Sequence, residues 1–61
     1  MMTRRLLTAK DVAEILRTTP GRLANQRMNG EGPPYLKFER RVLYDSKELE
    51  KWIDGHRVIT N

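Results

Sequence analysis

Two helix signals stand one after the other in residues 8–30, which read TAKDVAEILRTTPGRLANQRMNG. Thr8 and Thr19 each suit the position that caps the start of a helix, because a threonine hydroxyl accepts a hydrogen bond from an unpaired backbone N–H. Apolar residues recur at helical spacing after each threonine. The stretch predicts helices at about 9–17 and 20–29, and two helices joined by so short a turn form a helix-turn-helix.

The first helix has a reinforced start and one apolar face. Asp11 follows the cap at Thr8 by three residues, close to the pattern in which a cap and an acid bond each other's backbone N–H groups. We expect the apolar face of this helix to pack in the core. That face holds Val12, Ala13, Ile15 and Leu16.

The second helix has local start and stop signals of its own. Pro20 fits the first helical position, because its missing N–H would have no partner there, and Gly30 is a natural end. A thin apolar stripe on this helix is expected to face the core. The stripe holds Leu23, Ala24 and Met28.

The opposite face of the second helix is polar and carries no acid. At positions i, i+3, i+4 and i+7 it holds Arg22, Asn25, Gln26 and Asn29. A solvated helix face usually carries Glu and Lys, which are better helix formers. Arg, Asn and Gln are the side chains that form paired hydrogen bonds with guanine or adenine in the major groove. DNA recognition is therefore favoured over an ordinary solvated face.

A hairpin follows the second helix. The strands are predicted at Tyr35–Phe38 and Val42–Tyr44, with Glu39-Arg40-Arg41 at the tip. Lys37 is expected on the opposite side of its strand from its apolar neighbours, because side chains alternate along a strand. A basic hairpin tip after a helix-turn-helix is typical of a wing, which approaches phosphates or enters the adjacent minor groove. The alternative is a solvated hairpin end whose charge prevents edge aggregation.

A third helix follows the hairpin. It is predicted to start near Asp45 or Ser46 and to end at Gly55. Its apolar face holds Leu49, Trp52 and Ile53. We expect Trp52, the largest side chain, in the core. The predicted architecture is mainly α with a small β-hairpin, a winged helix-turn-helix in the order helix, helix, wing hairpin, helix.

The charge of the chain is basic and unevenly distributed. Its 61 residues carry a net charge of +4. Residues 17–44 have six basic and two acidic side chains, which gives +4, whereas residues 1–16 sum to +1 and residues 45–61 to −1. The excess lies on the second helix and the hairpin, and this favours an anionic partner at those elements.

The composition argues against several classes of protein. There is no cysteine, so neither a disulfide nor a thiolate is available. The one histidine, His56, and the one serine, Ser46, form no recognisable triad, and no phosphate loop or metal-ligand spacing is present. We expect no enzyme activity, no cofactor, no metal site and no small-molecule ligand. Without a signal peptide or an apolar run near ~18 residues, we expect no membrane partner and a cytoplasmic location.

Several stretches together match the pattern of a known family. They are LTAKDVAEIL at 7–16, RLANQR at 22–27, GEGPPYLK at 30–37, RRVLY at 40–44 and LEKWI at 49–53. Over about residues 6–53 the chain resembles the excisionase-like and AlpA-like small phage DNA-binding proteins, which share the winged helix-turn-helix of the MerR-type fold. The resemblance implies a second helix in the major groove and a wing at the neighbouring minor groove or backbone.

Carried over by position, the resemblance implies DNA contacts in the second helix and in the wing. It implicates Arg22, Asn25, Gln26, Arg27, Arg40 and Arg41. The full set that we expect at the DNA is Thr19, Arg22, Asn25, Gln26, Arg27, Asn29, Lys37, Arg40 and Arg41. Two positions depart from the family. Gln26 stands where the family often has Trp, and is either solvent-facing or base-reading. Glu39 stands where the wing often has Gly, so the turn differs and a negative charge lies near the expected phosphate contact.

The resemblance implies sequence-specific binding of double-stranded DNA, in one of two roles. The first is an excisionase, or recombination directionality factor, which bends DNA and helps a phage tyrosine integrase to excise. The alternative is a transcription regulator of prophage or mobile-element genes. The architectural role is favoured, because so small a reader gains affinity by binding adjacent sites with neighbouring copies. A protein adaptor with a basic face is disfavoured by the acid-free face of the second helix. The expected place of action is the bacterial nucleoid.

The expected domain organisation is one domain over residues 1–61, with its core at about 6–54 and a tail at 55–61. The tail contains two adjacent β-branched apolar residues, Val58 and Ile59. Two interpretations stay open for this pair. It either folds back onto a small core or contacts a neighbouring copy or the integrase.

Overall fold

The computed structural model describes residues 4–59 and confirms the winged helix-turn-helix. The elements are β1 (Leu6–Thr8), α1 (Ala9–Leu16), α2 (Pro20–Met28), β2 (Leu36–Phe38), β3 (Arg41–Asp45) and α3 (Ser46–Asp54). Residues 1–3 and 60–61, which include the end of the predicted tail, lie outside the described residues. No helix between residues 4 and 59 has the length and apolar character that a membrane crossing requires.

Helix α1 begins and ends through local hydrogen bonds. The Asp11 N–H donates to the Thr8 hydroxyl and the Thr8 N–H donates to the Asp11 carboxylate, both at 3.1 Å, so the capping box is complete. The hydrogen bond from the Thr8 N–H, and after it the Thr8 hydroxyl, lower the pKa of the Asp11 carboxyl. At the other end Arg17 adopts a left-handed conformation (φ 58°), and the Thr18 N–H reaches the Ala13 carbonyl at 2.8 Å. This pair of features turns the chain toward α2.

Helix α2 has the predicted cap and stop. The Arg22 N–H donates to the Thr19 hydroxyl at 3.2 Å, and Pro20 opens the helix. Gly30 has a φ of 70°, and the Glu31 N–H returns to the Gln26 carbonyl at 2.7 Å. Gly30 therefore occupies the left-handed position after the helix end, which glycine adopts without steric strain because it has no Cβ.

The sheet contains one strand more than the sequence predicts. Its order is β1-β3-β2, and both pairings are antiparallel. Strand β1 is only three residues long, and its Leu7 pairs with Tyr44, which lies 37 positions later in the chain. No local sequence pattern therefore predicts this strand. Strands β2 and β3 form the wing, and Glu39 in its turn has a φ of 55°. Glu39 thus adopts the left-handed conformation that glycine accommodates most readily.

A compact set of side chains forms the core between the helices and one face of the sheet. It holds Leu7, Val12, Ala13, Leu23, Tyr44 and Leu49. Two residues predicted for the core are exposed: Ile15 is 52% exposed and Met28 is 83% exposed. Trp52 is only half-buried and packs at the edge of the core. The three helices are short, so each presents only a narrow stripe to the sheet, and these residues lie beside that stripe.

Candidate nucleic-acid interface

The outward face of α2 is centred on Asn25. Arg22, Asn25 and Asn29 are all exposed, as the helical spacing predicts. Leu23, on the opposite side, is fully buried and fixes which face points outward. Thr19 lies at the start of the same helix, where its hydroxyl oxygen accepts the capping bond and its hydrogen stays available to a phosphate. Four of the nine predicted contact residues thus lie together on α2 and its two cap residues, Thr19 and Asn29.

Gln26 does not point into open solvent. It is half-buried, and it lies over Gly32, whose φ is 84°. A Cβ at Gly32 would stand 2.7 Å from Gln26 Oε1 and 2.9 Å from Gln26 Cβ. The glycine is therefore required both by its backbone conformation and by the glutamine above it. Gln26 therefore packs α2 against the loop that leads to the wing.

Arg27 faces the sheet rather than the outward side of α2. Its guanidinium donates a hydrogen bond of 2.6 Å to the Tyr44 hydroxyl. The same group lies 5.7 Å from the centre of the Tyr35 ring and 6.0 Å from that of Tyr44, within the range of a cation–π contact. The spacing of Arg27 from Leu23, four residues, is the sequence signal for this orientation. Its partner Tyr44 could not be identified, because that contact depends on the tertiary fold.

The wing supplies two cations on the side that faces α2. Lys37 pairs with Val42, which packs against the core, so both side chains project from the inner face of the sheet. Arg40 lies in the turn. A groove of about 590 Å³ separates α2 from the wing. It is lined by Ala24, Arg27, Met28, Tyr35, Lys37, Glu39, Arg40 and Val42.

Arg41 occupies the other face of the wing. It pairs with Phe38 at the start of β3, and its neighbour Val42 points inward. Arg40 and Arg41, which the sequence treats as one basic tip, therefore belong to opposite sides of the hairpin. Glu39 lines the groove beside Lys37 and Arg40, so it reduces the positive charge of the groove without removing it.

The ion pairs found in residues 4–59 lie away from α2 and from the tip of the wing, and the one that reaches β3 ends on its last residue, Asp45. They join Arg4 to Asp45, Lys51 to Glu48 and Arg57 to Asp54, at 3.1, 4.0 and 3.2 Å. The cations of α2 and the wing enter none of these pairs, so their charge stays available to an anionic partner. In the same part of the chain, no three His, Cys, Asp or Glu side chains come together as a metal site would require.

An outward polar helix beside a cationic hairpin defines a DNA-binding protein of the helix-turn-helix class. A family model described as a helix-turn-helix domain matches residues 6–57, so the chain belongs to the helix-turn-helix domain family. Comparison with curated proteins and with solved structures finds no match.

Proposed function

We propose that α2 enters the major groove and reads base edges, while the wing contacts the backbone or minor groove next to it. The observation that carries the proposal is the exposure of Arg22, Asn25 and Asn29 on one acid-free helix face. Both Asn and Arg form paired hydrogen bonds with a single purine, Asn with adenine and Arg with guanine. Lys37 and Arg40 stand across the groove from this helix and supply charge for the phosphates between the two DNA grooves.

The base-reading part of the proposal predicts loss of sequence preference. Arg22→Ala or Asn25→Ala should cost roughly 1–3 kcal/mol of binding free energy at one base position. The measurement compares binding to the preferred site with binding to scrambled DNA at one salt concentration. Equal losses on both DNAs would show that these side chains contact only phosphates. Lys51→Ala removes one positive charge from an exposed position on α3 and serves as the control.

The wing part of the proposal predicts a change in salt dependence. Lys37→Ala and Arg40→Ala should each weaken binding to all sequences, and each lost phosphate contact should reduce the log–log salt slope by about 0.9. Arg41→Ala should do the same only if the outer face of the hairpin also approaches DNA. Because Arg41 lies on the outer face of the hairpin, the three variants report which face of the wing approaches DNA. An unchanged slope in all three would mean that the wing is held away from the duplex.

We infer further that the protein acts as an excisionase, a recombination directionality factor for a phage tyrosine integrase. The family resemblance supports this role. The exposed tail supports it too, because Val58 and Ile59 are each 82% exposed and offer apolar contact to a neighbour. Excision of a substrate plasmid by the cognate integrase, with and without the protein, tests the role. The alternative, a regulator of prophage or mobile-element transcription, predicts no effect on excision and a changed promoter output.

The tail interpretation has its own test. Deletion of residues 57–61 should leave single-site binding and thermal stability unchanged, because Val58 and Ile59 are exposed, while His56, which packs on Trp52, is retained. It should reduce cooperative binding to DNA that carries adjacent sites, where weak contacts suffice at high effective concentration. A lower melting temperature would instead mean that the tail supports the core. A shift assay with random-sequence DNA at moderate salt separates both DNA-binding roles from a protein adaptor.

A further inference from the structure

Met28 is the most exposed apolar residue of the recognition helix. The sequence pattern assigns it to the core, but its side chain is 83% exposed on the last turn of α2. It lies three residues after Asn25 and therefore projects from the same outward side. It also lines the groove toward the wing, opposite Lys37 and Arg40. Met28 thus stands between Asn25, which is proposed to read a base, and Lys37 and Arg40, which are proposed to contact the DNA backbone.

The chemistry of the major groove offers one apolar partner to such a side chain. Base edges there present hydrogen-bond donors and acceptors, and the C5-methyl group of thymine is the exception. Methionine can make no useful hydrogen bond to a base edge, but its flexible, polarizable chain adapts to an apolar surface. Exposure to water gives Met28 no packing energy in the free protein, so any contact it makes is gained on binding.

We propose that Met28 contacts the C5-methyl group of a thymine next to the base pair read by Asn25, and that this contact helps to determine the DNA site. The inference rests on the proposed function, because it requires α2 in the major groove. It adds a specificity-determining contact that the polar face alone does not supply. The wing-facing position of Met28 places this thymine on the side of the Asn25 contact nearer to Lys37 and Arg40.

Deoxyuridine substitution tests the contact, since it removes only the methyl group. The preferred site is first selected from a random DNA library with the full chain, and each thymine is then replaced in turn. Wild-type protein should lose about fourfold in affinity at one thymine, the effect expected from one buried methyl group. Met28→Ala should bind the thymine and deoxyuridine sites equally at that position. Met28→Leu, which keeps an apolar side chain, should retain the preference for thymine.

The controls separate this inference from the function on which it rests. Met28 is exposed, so Met28→Ala should keep the wild-type melting temperature, and the other thymines of the site report general binding. If wild-type protein selects no site, the proposed function fails. If it selects a site but Met28→Ala responds to every deoxyuridine as wild type does, or if no thymine adjoins the Asn25 position, the methyl contact is refuted while the function stands.

Discussion

Replacing Tyr44 by phenylalanine removes one oxygen atom from the contact that joins α2 to strand β3 of the wing. Tyr44 is fully buried in β3, and its hydroxyl accepts a 2.6 Å hydrogen bond from half-buried Arg27 of α2. A hydrogen bond to a charged group contributes about 1.5–3 kcal/mol. We expect Tyr44→Phe to lower the free energy of unfolding by about that amount, because the guanidinium loses its hydrogen bond to the hydroxyl while the aromatic rings remain.

The size of the domain makes this loss easy to measure. A 61-residue chain is expected to have a free energy of unfolding of about 3–9 kcal/mol, so the variant should lose a large share of it. Arg27→Met keeps the length of the side chain and removes the donor, which leaves a buried hydroxyl unpaired at a cost of about 1–3 kcal/mol. In that background Tyr44→Phe should cost little, since the hydroxyl no longer has a partner.

Urea unfolding of the four proteins in this cycle gives the coupling energy between the two side chains. A coupling of about 1.5 kcal/mol or more is expected, and a value below about 0.5 kcal/mol would refute the role assigned to Arg27. DNA binding provides a second, independent result. If Arg27 only joins α2 to the sheet, Arg27→Met should leave the dependence of DNA affinity on salt unchanged. A direct contact between Arg27 and a phosphate predicts that the log–log slope of this dependence falls by about 0.9.

Three further predictions concern backbone, pH and packing. Gly30→Ala should lower the free energy of unfolding, measured with urea, by about 1–2 kcal/mol because of its positive φ alone. Gly32→Ala should lower it by about 1–3 kcal/mol more, since its new Cβ also meets Gln26. Equal losses in the two variants would contradict the contact between Gly32 and Gln26. The pKa of Asp11 lies below its ordinary value of 3.8, so its stabilising contribution is complete above that pH and is lost as the pH falls through the lowered value. The melting temperature of Asp11→Asn should therefore vary less with pH in this acidic range, and an identical acid profile would exclude the capping box as the cause. Trp52→Ala should lower the free energy of unfolding by about 2–3 kcal/mol, which is less than the about 3–5 kcal/mol expected for a fully buried aromatic, because Trp52 is half-buried. An unchanged melting temperature would show that Trp52 does not contribute to the core.

The helices could be predicted from the sequence because their signals are local. A cap at Thr8 or Thr19 and a stop at Gly30 each act within a few residues, and all three have the predicted role. The wing is also local, since its two strands are joined by a short turn. The predicted boundaries of α1 and α2 differ from the structure by one residue, at the C-terminal end of each helix.

The sequence could not supply the contacts that join distant parts of the chain. Strand β1 has no pattern of its own and exists because β3 pairs with it. The partner of Arg27 is Tyr44, 17 positions away. Because this partner is not visible in the local sequence, Arg27 was predicted to contact DNA together with its polar neighbours. Met28 was assigned to the core because hydrophobicity alone does not show which side of a short helix the sheet covers.

These contacts explain how a small domain can hold the proposed DNA-reading surface in place. Helix α2 is fixed to the rest of the protein by Leu23 in the core, by Gln26 over Gly32 and by Arg27 on Tyr44. The last of these attachments ends on β3, a strand of the wing itself. The distance between α2 and the wing is therefore set by packed side chains as well as by the loop that joins them. The proposed contacts with two neighbouring DNA grooves require such a fixed distance, because a binding site is precise only when its supports are rigid.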